Sequence, residues 1–204
     1  MSRLFVIGLT GPTGAGKSTV AQALRERGIP VLDCDIAARE VTERGSPVLK
    51  ELADAFGQDI LLPDGTLDRR RLGSRAFADN NQTKLLNRIT HPAILKVIKN
   101  RLAGFVQAGN TIAVLDAPTL FEAGADALCD FIVCVIAGEE IRLHRIMERD
   151  GISEEQVRLR MSAQKPEEYY VRKCNFSIVN DDKTLTARKI NLLLKKVEEA
   201  RNGL

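Results

Sequence analysis

Near the amino terminus, Gly11-Pro12-Thr13-Gly14-Ala15-Gly16-Lys17-Ser18 sets Gly11 and Gly16 with four residues between them and follows them with lysine and serine. That is the pattern of a phosphate-binding P-loop when a strand precedes it and a helix follows. Glycine's freedom lets consecutive amides turn toward one centre, and the helix that starts at the lysine adds the positive end of its dipole. In such a loop Lys17 reaches β- and γ-phosphate oxygens, Ser18 offers its hydroxyl to Mg²⁺, and the backbone through Thr19 supplies further donors. The chemistry implied is binding of ATP with Mg²⁺. Pro12 has no amide hydrogen, so the loop holds one donor fewer if that position is used. In the empty protein Lys17 is expected to stand open to water.

Moving a phosphoryl group also requires an oriented acceptor and positive charge to offset the one in transit. Asp33 and Asp35 follow the short apolar run Pro30-Val31-Leu32. One of these carboxylates is expected to face the loop, there to accept or orient the proton of an attacking hydroxyl. Asp33 is preferred, because the strand it ends is expected to lie beside the strand that carries the loop. Asp116, after Val114-Leu115, is a candidate for holding Mg²⁺ through water. Each of the three acids also suits a helix N-cap. Arg142, Arg145 and Arg149 are spaced by three and four residues, which puts them on one helix face. With Glu139, Glu140 and Glu148 nearby this is also the pattern of a solvated charged face. In a phosphotransferase the same arginines can close over a triphosphate. His91 lacks a partner at a telling spacing, which favours structural support or acceptor contact over acid–base work. Pro92 is expected to open a helix, with His91 just outside it.

These groups need a scaffold that gathers strand ends. Apolar runs rich in valine and isoleucine predict strands at 4–9, 30–33, 111–117, 131–137 and 177–180, and residues 18–27 predict a helix closed by Gly28. Strands alternating with helices predict a doubly wound α/β fold of the P-loop NTPase type: a parallel five-stranded sheet flanked by helices, with ligands beyond the carboxyl ends of the strands. Residues 1–45 and 110–204 would form the nucleotide-binding core. The stretch 46–109 has helical periodicity and is too long for a connection, so it reads as an inserted helical substrate-binding subdomain. Residues 139–166 read as a helical lid, in which Ser153 and Gln156 have capping-box spacing.

Composition narrows the partners. The 30 basic residues against 27 acidic ones give a net charge of only +3, too balanced to hold nucleic acid by bulk electrostatics. With aromatics at 4% and no tryptophan, a base-stacking platform is also missing. No apolar stretch approaches the roughly 20 residues a membrane-spanning helix needs, and no signal peptide precedes the loop. Cys34, Cys129, Cys134 and Cys174 show no metal-ligand or redox spacing, which suits thiols in a reducing cytoplasm.

The chain resembles the dephospho-coenzyme A kinase family over nearly its whole length. The resemblance is carried by the loop with Asp33-x-Asp35-x-x-Ala38-Arg39, by Gly65-x-Leu67-Asp68-Arg69-x-x-Leu72 and Phe77, and by Ile89-x-His91-Pro92-x-Ile94. It continues in Ala117-Pro118-x-Leu120-Phe121-Glu122-Ala123-Gly124, Arg160-x-x-x-Gln164 and Ile178-x-Asn180. It implies ATP at the loop and the ribose 3′-hydroxyl of dephospho-coenzyme A as acceptor. Asp33 is implied as the catalytic carboxylate, acting with Lys17, Arg142 and Arg149, while Arg145 joins the phosphate ligands and Asn180 lies near the adenine. Asp35, Arg39, Leu67, Asp68, Arg69, Phe77, His91, Pro92, Leu120, Glu122 and Arg160 are implied on the acceptor side. Two alternatives remain at this stage: a kinase of another small metabolite or nucleoside, and a nucleotide switch that acts on a protein partner. A monomer or weak homo-oligomer is expected.

Overall fold

The computed structural model describes residues 3–181 and 186–203, with Thr186 and Ala187 as backbone only. Strand β1 (Phe5–Thr10) is buried at every position, as the middle strand of a parallel sheet must be. It pairs in parallel with β3 (Ile112–Asp116) on one side and β4 (Phe131–Ile136) on the other, with Leu9 opposite Asp116 and Val133. β5 (Phe176–Val179) continues the sheet beyond β4, and β2 (Val31–Asp33) lies outside β3, giving the order β2-β3-β1-β4-β5. All five expected strands are present. The expected neighbour of β1 is corrected: β3, not β2, lies beside it. β3 is buried from Ala113 to Asp116, whereas β2 is only half-buried at both ends, as suits an edge strand.

The chain divides into two compact units, one made of the residues up to Leu32 and from Phe105 onward, the other of Asp33–Gly104. In the first, helices α1 (Lys17–Arg25) and α9 (Thr186–Asn202) bury Val20, Ala21, Leu24, Ile190, Leu193 and Val197 in one cluster with Ile7, Leu9, Val133 and Val135. Each buried valine, leucine or isoleucine side chain of this cluster contributes about 1.5–3 kcal/mol, so the strand that ends in the loop and the helix that begins there are both firmly seated. The same unit carries α6 (Glu139–Asp150), α7 (Glu154–Ser162) and α8 (Glu167–Lys173). α6 stops at Gly151, in the left-handed conformation at φ 63°, and Ser153 with Gln156 forms a complete capping box at the start of α7. Leu143, Ile146 and Val157 form the small core of this pair.

The second unit contains α2 (Cys34–Glu40), α3 (Pro47–Phe56), α4 (Arg69–Ala76) and most of α5 (Asn80–Gln107). Leu52, Ala53, Phe56, Ile60, Leu72, Ala76 and Ile89 form its own core. Pro92 is inside α5 and does not open a new helix. Proline removes one helical hydrogen bond and ordinarily breaks or kinks the helix. Here Ile89 and Ile98, buried on either side, hold the two halves as one 28-residue element. Among the described residues no helix is long and apolar enough to cross a membrane.

Candidate active site

The loop that follows β1 makes its turns at glycine. Gly11, Gly14 and Gly16 have φ of 145°, 77° and 86°, values that side-chain-bearing residues rarely adopt. Space dictates glycine as well. A Cβ on Gly11 would strike the carbonyl of Val135, one on Gly14 would stand 2.8 Å from the Arg142 carbonyl, and one on Gly16 would overlap the Asn180 amide nitrogen. The loop is therefore enclosed by the end of β4, by α6 and by the residue that follows β5. Gly16 is also the N-cap of α1 without any side-chain cap bond, so the first amides of that helix remain available for an anion. Ser18 and Thr19 are exposed in its first turn.

Lys17 does not stand in open water. Its ammonium is ion-paired to Asp116, with 18% of the lysine side chain and 9% of the aspartate side chain exposed. The sheet order explains the pairing, since β3 lies beside β1 and ends in this acid. Asp116 thus sits at the loop, where it could also face a magnesium-bound water once phosphates draw the lysine away.

The arginines of α6 divide. Arg142 packs its Cβ against Gly14, and Arg145 brings Nη1 close to Gly16. Arg142 Nε and Arg145 Nη1 are buried and have no hydrogen-bond partner among the described residues. Buried guanidinium nitrogens without acceptors are costly, and a phosphate supplies the acceptors they lack. Arg149 is exposed and donates two bonds to Asp150, at 2.7 and 2.9 Å, while Arg160 pairs with the same carboxylate. Those bonds, Arg149's first, hold the Asp150 carboxyl down to about 2. Two carboxamides complete the surroundings: Gln164 accepts from the Thr13 amide at 2.9 Å, and Asn180 donates to the Ala15 carbonyl at 2.9 Å. Gln164 stood out in sequence only as part of the Arg160-x-x-x-Gln164 pattern, and nothing local marked its bond to the loop.

In the second unit Asp33 caps α2. Its Oδ1 accepts from the amides of Asp35 at 2.8 Å and Ile36 at 3.3 Å. Asp35 and Arg39 lie exposed on that helix, and Asp68 caps α4 by accepting from the Arg71 amide. Leu67, Arg69 and Phe77 line a cavity of about 200 Å³ together with Leu52, Leu72 and Ile94. Arg69 is fixed at its rim by a 3.1 Å bond to the Thr42 hydroxyl, and Phe77 is 69% exposed at α4's end. His91 is half-buried in α5, and burial pushes its imidazole below the ordinary range. At neutral pH it is uncharged. Of the two residues implied after β3, Leu120 is fully buried and acts as core, whereas Glu122 is exposed. The charge of Glu122, together with burial as the larger cause, pushes the Tyr170 phenol up to about 12.

A phosphate loop at the end of β1, its lysine paired to the acid ending β3, and arginines on the helix after β4 define a P-loop phosphotransferase. The sequence profile of the dephospho-CoA kinases matches residues 5–186. The chain is 44% identical over 175 residues to the dephospho-CoA kinase of Corynebacterium glutamicum, covering 86% of this chain and 88% of that one. With the Bacillus thuringiensis enzyme it shares 40% over 193 residues, 94% and 96% of the two chains. The structure of a dephospho-CoA kinase from Campylobacter jejuni superposes with a TM-score of 0.70 at 23% identity over 98% of both chains. The chain belongs to the dephospho-CoA kinase family.

Proposed function

We propose that the chain transfers the γ-phosphoryl group of ATP to the ribose 3′-hydroxyl of dephospho-coenzyme A, giving coenzyme A and ADP. Beyond family membership, the observation that carries this reading is the two buried arginine nitrogens at the loop, Arg142 Nε and Arg145 Nη1, which have no hydrogen-bond partner among the described residues. Phosphates satisfy both and attract Lys17 away from Asp116. Ser18 and Asp116 suit Mg²⁺ arriving with the nucleotide, the aspartate through water, because that ion favours a carboxylate or two alongside phosphate oxygens. When bound, the ion offsets charge on the transferring group.

The helical unit provides the acceptor side. Its cavity of leucines and isoleucine rimmed by Arg69 suits a ligand with apolar and anionic parts, which describes dephospho-coenzyme A better than a bare nucleoside. Asp33 is the carboxylate that receives the proton of the 3′-hydroxyl, with Oδ1 held by two backbone amides and the other oxygen left to take the proton. Arg39 and Asp35 flank it on α2. The enzyme works in the cytoplasm as a monomer or weak homo-oligomer.

The test is incubation with ATP, Mg²⁺ and a mixture of dephospho-coenzyme A, adenosine and nucleoside monophosphates, followed by mass spectrometry of the products. Coenzyme A is the expected product. A phosphorylated nucleoside or nucleotide with dephospho-coenzyme A untouched would point to a different acceptor, and ADP release with no phosphorylated product would point to a switch.

A further inference from the structure

Asn180, just beyond β5, is 3% exposed although its side chain is polar. Its backbone amide donates to the Ile136 carbonyl at 2.7 Å, which fixes the residue to the end of β4, and its Nδ2 donates to the Ala15 carbonyl at 2.9 Å. Ala15 is fully buried, and the same Nδ2 fills the space a side chain on Gly16 would need. Thus the carboxamide touches the loop's backbone at the peptide joining Ala15 to Gly16.

That peptide is planar and trans, so its C=O and N–H point in opposite directions. Holding the Ala15 oxygen against Asn180 therefore turns the Gly16 N–H away from the carboxamide. At φ 86° Gly16 has little local preference to resist a flip of this peptide. A flipped peptide would aim a carbonyl oxygen at the phosphates. Because the Ala15–Gly16 peptide immediately precedes α1, its orientation also sets how the first amides of that helix are presented.

We infer that Asn180 is a positioning residue for the phosphate site, holding the Ala15–Gly16 peptide so that the Gly16 amide faces the nucleotide's phosphates. This goes beyond base contact, which is the role the family resemblance implies for this position. It depends on nucleotide binding at the loop but not on the identity of the acceptor, so it is tested by equilibrium binding with no acceptor present.

The experiment measures the affinity of the full chain for ADP and for inorganic tripolyphosphate, which has no base, in the wild type and in Asn180→Ala and Asn180→Asp. A hydrogen bond of this kind supports about a tenfold change in affinity. Positioning predicts that ADP and tripolyphosphate weaken in parallel in Asn180→Ala. Asn180→Asp supplies a second readout. A buried acid facing a carbonyl has a raised pKa, and in its protonated form the O–H donates to Ala15 again. Its affinity relative to wild type should therefore be lowest at alkaline pH and recover as the solution is acidified, while that of Asn180→Ala stays flat. If the alanine variant does not fold, Asn180→Ser, with a shorter hydroxyl donor, serves in its place and should lie between wild type and loss. Weakening of ADP with tripolyphosphate unchanged, or an aspartate variant without pH-dependent recovery, would overturn the inference.

Discussion

The ammonium of Lys17 is ion-paired to Asp116, the residue that ends the strand beside the one carrying the loop. In the proposed reaction phosphate binding is an exchange, in which the lysine leaves a largely buried carboxylate for phosphate oxygens. Asp116→Asn removes the competitor for the lysine while leaving a hydrogen-bonding group of the same size. Its affinity for ADP without Mg²⁺ should rise a few-fold, and its turnover with Mg²⁺ and ATP should fall by at least tenfold. Calorimetry and steady-state rates on the folded variant check both. Weaker metal-free ADP binding would show that the pair organises the loop and does not compete with the nucleotide.

Lys17→Ala should abolish turnover and, because the largely buried ion pair with Asp116 is lost, also destabilise the empty protein by about 1–3 kcal/mol. Urea unfolding decides the second part. An unchanged midpoint would mean that the ion pair contributes nothing net to the empty fold.

Asp33 is now both cap and proposed base, and Asp33→Asn separates the two. Asparagine caps about as well as aspartate, so stability should change by no more than about 0.5 kcal/mol. It cannot take up a proton, and the single-turnover transfer rate should fall by about 10²–10⁴, toward the lower value if the transition state is loose. ATP affinity should stay within a few-fold. A normal transfer rate would leave Asp33 as a cap alone and move the proton acceptor to Asp35.

The motifs were legible because their requirements are local. A continuous apolar run announced β1, glycine spacing announced the loop, and Ser153 with Gln156 announced the capping box. What sequence could not supply was adjacency. Nothing in residues 30–33 or 111–117 says which strand pairs with β1, so the sequence offers Asp116 as a metal ligand without its lysine partner and sets Asp33 one strand too near the loop. Pro92 misled for the opposite reason: a strong local rule was overridden by burial of Ile89 and Ile98 on either side of it. The bonds of Gln164 and Asn180 to the loop join residues 151 and 165 positions apart, and no periodicity can reveal such a link.

His91 gives a pH dependence with a definite sign. Burial lowers its pKa below the ordinary 6.5, so between the folded and unfolded values the unfolded chain binds the extra proton. Its contribution to stability is complete above about 6.5 and is lost as pH falls through the folded value, with a slope of at most about 1.4 kcal/mol per pH unit. His91→Gln should flatten that part of the stability profile between about pH 7 and pH 5, read from urea midpoints. Equal slopes in the two proteins would show that the imidazole is protonated as easily in the fold as in water.

The arginines of α6 offer the sharpest separation of binding from stability. Arg145 Nη1 is buried with no acceptor among the described residues, while Arg149, one turn further on, is exposed and bonded to Asp150. A buried donor without a partner costs about 1–3 kcal/mol, a cost that the proposed contact with phosphate would relieve. Arg145→Met keeps the length and apolar packing of the stem but removes that donor. The empty variant should therefore be as stable as the wild type or more so, by up to about 1 kcal/mol, and bind ADP at least tenfold more weakly. Arg149→Met should change ADP affinity much less, because Arg149 reaches a phosphate only after giving up two bonds to Asp150. Parallel unfolding and ADP titrations of the two variants give the answer. If Arg145→Met loses stability and keeps its nucleotide affinity, the buried guanidinium is a structural group and the positive charge at the loop belongs to Lys17 and Arg142.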